Sequence, residues 1–216
     1  MNTPRETDAS SPGEDIYALT RTLIASRRNI SPKRLVSPGP SPQQLAGLLE
    51  LAAAAPDHGR INPWRFIGVP VAHRHRLGEA FALALIDRDP EATPVQIEAA
   101  RAKALRAPVL LVAVACLGAR EPDIAPLERM ISMGAAIQNL LLGAHALGYG
   151  VGLTSGRAMG SPCMARLCGL APGEVAVCCV NIGSVSAHRV SSSARPLATN
   201  FYTELPGCLD RTRDSA

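Results

Sequence analysis

Aromatic residues are scarce in this chain of 216 residues, where phenylalanine, tryptophan and tyrosine together make up 3%. Proteins that bind single-stranded nucleic acid stack bases on aromatic side chains, and this composition offers few such platforms. Basic residues also form no run of five or six, and the net charge is only +4. Scarce aromatics and dispersed charge therefore argue against a nucleic-acid partner.

Long uninterrupted apolar segments are absent too, so no membrane span is predicted. The start of the chain, MNTPRETDASSPGED, has acidic residues and prolines where a secretory signal needs a basic start and an apolar run. We therefore expect a cytoplasmic protein that does not bind membranes. Residues 1–12 and 206–216 are predicted to be flexible tails around one domain spanning residues 13–205.

The six cysteines form no CxxC pair, and the five histidines do not stand at metal-ligand spacing with them. Cys116, Cys178 and Cys179 lie in apolar runs, where a thiol usually packs as a small hydrophobe. His73 and His75 alternate with arginines, which predicts a solvated helix start. No metal site is expected, and the Walker, HExxH and GxSxG motifs are also missing.

The glycines of GYGVG at residues 148–152 do not form a dinucleotide-binding fingerprint. Such a fingerprint follows a strand and opens a helix, whereas these glycines follow a predicted helix and are expected to lead into a loop. We therefore reject a Rossmann-type site.

Helical periodicity and capping signals predict four helix starts. Apolar spacing predicts a first helix over residues 14–26. SPQQ at 41–44 opens a helix that ends near Ala54, and TPVQ at 93–96 repeats its combination of N-cap residue, proline and glutamine. SP at 161–162 has the first half of the same signal.

Apolar runs predict three strands, over residues 64–69, 109–116 and 175–182, of which the last two would be covered on both faces. Residues 128–147 are apolar almost all round and predict a helix buried on most sides, ended by Gly148. Its small residues would let another helix approach closely, either in the core or at a subunit interface.

Polar groups collect at the ends of these elements, at residues 27–29, 58–65 and 154–157 and at Arg195. Each group alone has an ordinary explanation. Arginines at a helix end are commonly solvated, a lone histidine after a helix is commonly a cap, and Thr-Ser-Gly can be a turn.

Five segments in chain order carry a family resemblance. They are RRN at 27–29, APDHGRINPWRF at 55–66, RAP at 106–108, GAAIQNLLLGAHALGYG at 134–150 and LTSG at 153–156. They resemble the RRS, APxHxxxPWxF, RAP, GAAxQNLLLAAHALGLG and WxSG motifs of the FMN-dependent nitroreductase family, most closely its small single-domain NAD(P)H nitroreductases. The resemblance runs from about Arg21 to Leu205.

The resemblance implies an α+β, three-layer α/β/α-like fold in which helices flank a mixed, mainly antiparallel central sheet. It implies an interlocked homodimer with one FMN in each of two interface clefts. The activity it implies is an NAD(P)H oxidoreductase, using NADH or NADPH, that transfers hydride through the flavin to a small electrophile such as a nitroaromatic, quinone or enone. Flavin fragmentation, reductive dehalogenation and a non-catalytic FMN-binding storage or sensor dimer stay open as alternatives.

The resemblance also assigns residues. Residues 27–29 would hold the phosphate and the ribityl or ring edge, His58 and Asn62 would come from the partner chain, and 153–155 would line the phosphate or ring side. The implied cofactor-binding residues are Arg27, Arg28, Asn29, His58, Asn62, Leu153, Thr154, Ser155 and Arg195. The implied residues at the nicotinamide entrance are Gly143, Ala144, His145, Ala146, Leu147 and Gly148. No catalytic side chain or metal is expected, because the flavin performs the chemistry.

Arginine suits such a site because its guanidinium fork matches a phosphate bidentately. Hydride transfer to a flavin leaves negative charge on the ring, which donors from arginine and backbone N–H groups would stabilise. The chain departs from close relatives at Leu153 and Thr154, where an aromatic residue or arginine is common, and at Ala54, where some carry arginine. Fewer cationic contacts would weaken FMN binding unless Arg60 or Arg157 compensates.

Overall fold

A computed structural model describes residues 11–118, 121–186 and 195–205 of the chain. Residues 1–10 and 206–216, which make up nearly all of the two predicted tails, lie outside the described residues. The domain boundaries therefore stay a prediction.

The α-helices are α1 (Pro12–Ser26), α2 (Pro42–Ala53), α3 (Arg74–Arg88), α4 (Pro94–Arg101), α5 (Pro126–Ala146) and α6 (Pro162–Cys168). Capping residues begin three of the helices, α2, α4 and α6, where the sequence predicts them. Ser41 and Thr93 each form a complete capping box with the glutamine three residues on, and Ser161 accepts the Met164 N–H. Helix α1 begins two residues earlier than predicted, because Ser11 caps it and Glu14 completes the box.

The sheet is built around its longest strand. The strands are β1 (Leu35–Val36), β2 (Trp64–Gly68), β3 (Val109–Cys116), β4 (Gly150–Thr154) and β5 (Glu174–Val185). Strand β5 pairs antiparallel with β1, β3 and β4, and β3 pairs antiparallel with β2. Helices combined with an antiparallel sheet confirm the predicted α+β class.

The prediction that residues 148–152 lead into a loop is wrong, because β4 begins at Gly150. The glycines of this strand serve close packing. A Cβ on Gly150 would press on Leu35 and Val185, and one on Gly152 would clash with the carbonyl oxygen of Ile30. Strand β1 was not predicted either, since two residues carry no periodicity.

Two apolar cores lie on opposite faces of the sheet. Alternate residues of β3 face each core, as the strand period of two requires. Leu111 and Ala113 pack with residues of α2 and α5, whereas Leu110 and Val112 pack with residues of α3 and α6. This arrangement gives the three layers that were predicted.

Arg74, predicted to lie in a solvated helix start, is instead 3% exposed. Its guanidinium donates to four backbone carbonyls, those of Val69, Ala104, Ala107 and Pro108, at 2.7 to 3.0 Å. It thus joins the start of α3 to the segment that leads into β3. The sequence could not show this role, because backbone acceptors carry no sequence signal.

Helix α5 is buried on one side only. Met133, Ala136 and Leu140 are at most 1% exposed, whereas Leu127 is 72% exposed and Ile131 66%. Helix α1 buries no residue at all. The expectation that the α5 segment is buried on most sides is therefore wrong for a single chain, and both helices leave apolar side chains exposed.

No helix in the described part of the chain combines the length and the apolar character that a membrane crossing needs. Among the same residues there is also no group of three or more His, Cys, Asp or Glu side chains that could hold a metal ion.

Candidate functional site

Three arginines meet where α1 ends. Arg195 Nη2 donates to the Arg27 carbonyl oxygen at 2.8 Å, across 168 residues of sequence. Burial, and then the positive charges of Arg195 and Arg28, lower the pKa of Arg27. None of the three forms an ion pair with a carboxylate in the described ranges. We call Arg27, Arg28 and Arg195 the arginine cluster.

Two nitrogens of the arginine cluster are buried donors. The Nε atoms of Arg27 and Arg28 are buried and lack a hydrogen-bond acceptor among the described residues. Arg28 Nη1 donates to the carbonyl oxygens of Ala25, at 2.5 Å, and Arg27, at 3.0 Å, so this side chain also covers the end of α1. Buried donors without acceptors are costly, and an anionic ligand at this point would satisfy them.

Asn29 joins the arginine cluster to strand β4. Its Oδ1 accepts the Leu153 N–H at 2.8 Å, and the next residue, Ile30, donates its N–H to the Val151 carbonyl at 2.8 Å. The close approach depends on Gly152, since a side chain there would collide with Ile30. The structure thus brings the predicted residues 27–29 and Leu153 together.

The carboxyl end of α5 lies beside the same cluster. His145 Nε2 is 2.8 Å from Ser26 Oγ, the last residue of α1. Burial, and then the positive charges of Arg27 and Arg28, lower the pKa of His145, which favours its neutral imidazole. Sequence analysis placed His145 at the nicotinamide entrance but did not foresee this contact, which has no local signal.

The six residues predicted at the nicotinamide entrance do not share one environment. Ala144 is 0% exposed, and a Cβ on Gly143 would clash with Leu51 and press on Leu48 of α2. These two positions therefore serve the packing of α2 on α5. The other four, at 145–148, lie at the exposed or half-buried end of the helix.

His58 and Asn62 lie elsewhere in the chain. His58 Nδ1 is 2.6 Å from Glu128 Oε2 in the first turn of α5, and the Asn62 N–H donates to Asp57 Oδ2 at 2.7 Å. The helical rise from Glu128 to His145 is about 25 Å. Within one chain the structure therefore does not bring His58 and Asn62 to the arginine cluster.

Thr154 and Ser155 face a cavity of about 500 Å³ that is bounded mainly by α3, α4 and the turn after β4. Thr154 Oγ1 accepts from Asn181 Nδ2 at 3.1 Å, and Ser155 Oγ donates to the Val177 carbonyl at 2.7 Å. None of the other residues predicted to bind the cofactor lines this cavity, and neither does the end of α5.

Asn181 is a polar residue of the site region that sequence analysis missed. It is 1% exposed within β5, and its Nδ2 donates to the Gly152 carbonyl at 3.1 Å as well as to Thr154. The one sign of it in the sequence was a single amide side chain inside the apolar run at residues 175–182. Its partners fix the end of β4, next to the Leu153 N–H.

The arrangement suits anion binding more than acid or base catalysis. The described residues place three guanidiniums, an imidazole and exposed hydroxyl groups near the end of β4. Among these residues no carboxylate forms an ion pair with the arginine cluster, and no group of three or more His, Cys, Asp or Glu side chains could hold a metal ion. Such a site can hold a phosphate and orient a bound cofactor.

Comparisons with known proteins agree with this picture. The family model described as Nitroreductase family matches residues 24–184. A Haemophilus influenzae protein provisionally named an NAD(P)H nitroreductase is 31% identical over 128 residues, 59% of this chain and 67% of its own.

Solved structures establish the fold. The nitroreductase-like family protein of Bacillus cereus matches with a TM-score of 0.75 at 21% identity, over 94% of this chain and 100% of its own. An FMN-dependent nitroreductase of Clostridium difficile matches with a TM-score of 0.59 at 16% identity, over 84% and 96% respectively. The fold expected from the sequence motifs is therefore confirmed.

Proposed function

The chain belongs to the nitroreductase family, and from that membership we propose that it is an FMN-dependent NAD(P)H oxidoreductase working as a homodimer. The name of the Clostridium difficile protein supports FMN as the cofactor, and that of the Haemophilus influenzae relative supports NADH or NADPH as the reductant. When bound, the flavin would supply the hydride acceptor and donor.

The observation that carries this proposal is the pair of buried Nε atoms on Arg27 and Arg28, for which the described residues provide no acceptor. The FMN phosphate is close to a dianion at neutral pH, and it is the kind of acceptor that guanidinium groups bind most strongly. Arg195, which lowers the pKa of Arg27 by its charge, would be a third phosphate ligand. The residues present therefore fit the phosphate end of FMN.

The remaining predicted residues have positioning roles in this proposal. Asn29 holds the backbone of Leu153 through a 2.8 Å hydrogen bond, so the end of β4 is fixed beside the arginines. The N–H groups and hydroxyls of Thr154 and Ser155 would border the ribityl or ring portion. His145 borders the cluster, and its partner Ser26 keeps it at the helix end.

A second copy of the chain would complete the site. His58 and Asn62 lie about 25 Å along α5 from the arginine cluster, too far to share one flavin with it in the same chain. Exposed apolar residues on α1 and α5, among them Leu19 at 71% and Ile131 at 66%, offer a surface for that copy. We assign His58 to the flavin of the partner chain, as a ligand and not as an acid or base.

The proposed acceptors are small electrophiles such as nitroaromatics, quinones and enones. In the described part of the chain, no carboxylate pairs with the arginine cluster to form an acid and base pair that would restrict it to one proton-transfer chemistry. Reduction by way of a bound flavin needs binding and orientation from the protein, and these are the functions that the described side chains can perform.

Binding of FMN and of riboflavin to the purified full chain tests this proposal. We expect one FMN per chain, with riboflavin at least tenfold weaker, because riboflavin lacks the phosphate that the arginine cluster would hold. Turnover of NADH or NADPH with a nitroaromatic, a quinone and an enone would then identify the acceptor class. A protein that binds neither flavin, or both equally, would contradict the proposal.

A further inference from the structure

The proposed function uses His58 but gives no role to Glu128, its partner at the start of α5. His58 Nδ1 lies 2.6 Å from Glu128 Oε2, and the two side chains are 67% and 45% exposed. A pair this exposed contributes little to the stability of the fold, because water screens the interaction. The short hydrogen bond is therefore better explained by what it does to the imidazole than by what it adds to stability.

The backbone around His58 is fixed independently of this pair. The Asn62 N–H donates to Asp57 Oδ2 at 2.7 Å, which closes the segment on itself. Gly59, with a φ of 72°, lies so close to Ile124 that an added Cβ would come within 2.7 Å of its Cδ1. The segment is thus seated on residues that lead into α5, and His58 starts from a defined backbone position.

The imidazole of His58, by contrast, is not held by packing. At 67% exposure it has room for several rotamers, and the bond to Glu128 is the one hydrogen bond that it makes to the described residues. This bond selects one rotamer and places a hydrogen on Nδ1, because an ionised carboxylate can only accept. Nε2 is then the ring nitrogen that remains for a ligand.

Glu128 is well placed to hold the imidazole. It lies in the first turn of α5, where the positive end of the helix macrodipole attracts a carboxylate. The N-cap of α5 is Ala125, whose side chain has no oxygen and cannot supply its half of a capping box. The Glu128 carboxylate bonds to His58 instead.

We propose that Glu128 is a positioning residue for the cofactor site, which fixes the rotamer of His58 and the position of its hydrogen so that Nε2 meets the flavin of the partner chain. The inference rests on the proposed function, because it takes His58 as a flavin ligand. A side chain that is already ordered loses less rotamer freedom on binding, which favours affinity. Glu128 would thus strengthen FMN binding without touching the cofactor.

Nitrogen NMR of the His58 imidazole in the full chain without FMN tests the first half of this inference. Spectra at about pH 9 show which ring nitrogen of a neutral imidazole carries the hydrogen. We expect the hydrogen on Nδ1 in the unaltered chain and in Glu128→Gln, whose amide oxygen can still accept. Glu128→Ala should return His58 to the Nε2–H form that free histidine prefers. The His58→Ala variant identifies the signal.

FMN titration of Glu128→Ala, His58→Ala and the double variant tests the second half. Glu128→Ala should weaken FMN binding about fivefold, and Glu128→Gln should stay within about twofold of the unaltered chain. In a chain that already carries His58→Ala, the change Glu128→Ala should matter less than about twofold, because Glu128 acts through His58. Glu79→Ala is the matched control, since Glu79 is a similarly exposed glutamate 2.6 Å from Arg101.

Two results would overturn the inference. One is an unchanged tautomer of His58 in Glu128→Ala. The other is an effect of Glu128→Ala on FMN affinity that is the same with and without His58, which would show that Glu128 does not act through the imidazole. If the chain binds no FMN, the proposed function fails, and the NMR spectra alone decide whether Glu128 controls His58.

Discussion

His58 Nδ1 lies 2.6 Å from Glu128 Oε2 at the amino end of α5, whereas Arg27 and Arg28 lie beside the carboxyl end of the same helix, next to His145. About 25 Å of helix separates the two groups. If both contact one flavin, they belong to different chains.

Mixed dimers test directly whether His58 and Arg28 reach one flavin from different chains. Arg28→Ala and His58→Ala would each impair both sites of their own homodimer. Co-expression of the two variants yields mixed dimers with one doubly altered site and one intact site. About a quarter of all sites should then be intact, because half of the dimers are mixed.

The measurement is FMN-dependent turnover of the co-expressed mixture compared with the mean of the two homodimers. Activity above that mean is the expected result. Co-expression of two differently tagged Arg28→Ala chains provides the control and should give no gain. Activity equal to the mean would show that His58 and Arg28 act within one chain.

Arg28→Ala should weaken FMN binding roughly tenfold to a hundredfold, which is the loss expected for a charge-assisted hydrogen bond to phosphate. Its effect on the free energy of unfolding without FMN should be about 1 kcal/mol or less, since only its contacts at the end of α1 are lost. FMN titration and urea unfolding measure the two quantities. Arg21→Ala, at an exposed arginine of α1, is the control. Large losses in both quantities would make Arg28 a structural residue.

Gly152→Ala should disturb the site without touching any predicted ligand. Its Cβ would clash with the Ile30 carbonyl, so the segment holding Arg27 to Asn29 must move away from β4. We expect lower thermal stability and weaker FMN binding. Gly47→Ala, in α2 with no atom within 4 Å of the added Cβ, should leave both unchanged or raise stability slightly. Unchanged FMN affinity in Gly152→Ala would mean that this contact does not support the site.

Glu174 gives a prediction about pH. Its carboxylate bonds bidentately to Arg65, which is the largest cause that lowers the pKa of Glu174 from 4.5 to about 2. The stabilisation is therefore fully present above about pH 4.5 and is lost as the pH falls towards 2. Allowing for partial exposure of Arg65, it is about 1 to 2 kcal/mol at neutral pH.

Thermal unfolding of Glu174→Gln from about pH 7 to about pH 3 measures this contribution. The variant should be less stable than the unaltered chain at pH 7, and the difference should shrink at the acid end. Glu79→Gln, which breaks an exposed pair with Arg101, is the control and should change little. A difference that stays constant with pH would contradict the account of Glu174.

The sequence predicted elements whose signals are local. The caps at Ser41 and Thr93 and the apolar run of β3 follow from a few neighbouring residues, and their positions were correct to within one or two residues. Strand β4 was missed because Gly150 and Gly152 resemble turn residues, and their packing role depends on Ile30 and Leu35 far away in sequence.

Site residues could be identified from the sequence only through the family motifs. Ser26 contacts His145 across 119 residues of sequence, and His58 contacts Glu128 across 70. Sequence periodicity gives no information about contacts between residues so far apart. The sequence was misleading at Arg74. An arginine between histidines is typical of a solvated surface, whereas in the structure its guanidinium donates to four backbone carbonyls.

Anaerobic mixing of the FMN-loaded protein with NADH or NADPH is the measurement that tests the proposed function most directly. The visible flavin absorbance should be bleached within the turnover time and should return when a quinone or nitroaromatic is added. A protein that binds FMN but keeps its absorbance with both nucleotides would contradict oxidoreductase activity and would favour an FMN-storing or sensing dimer.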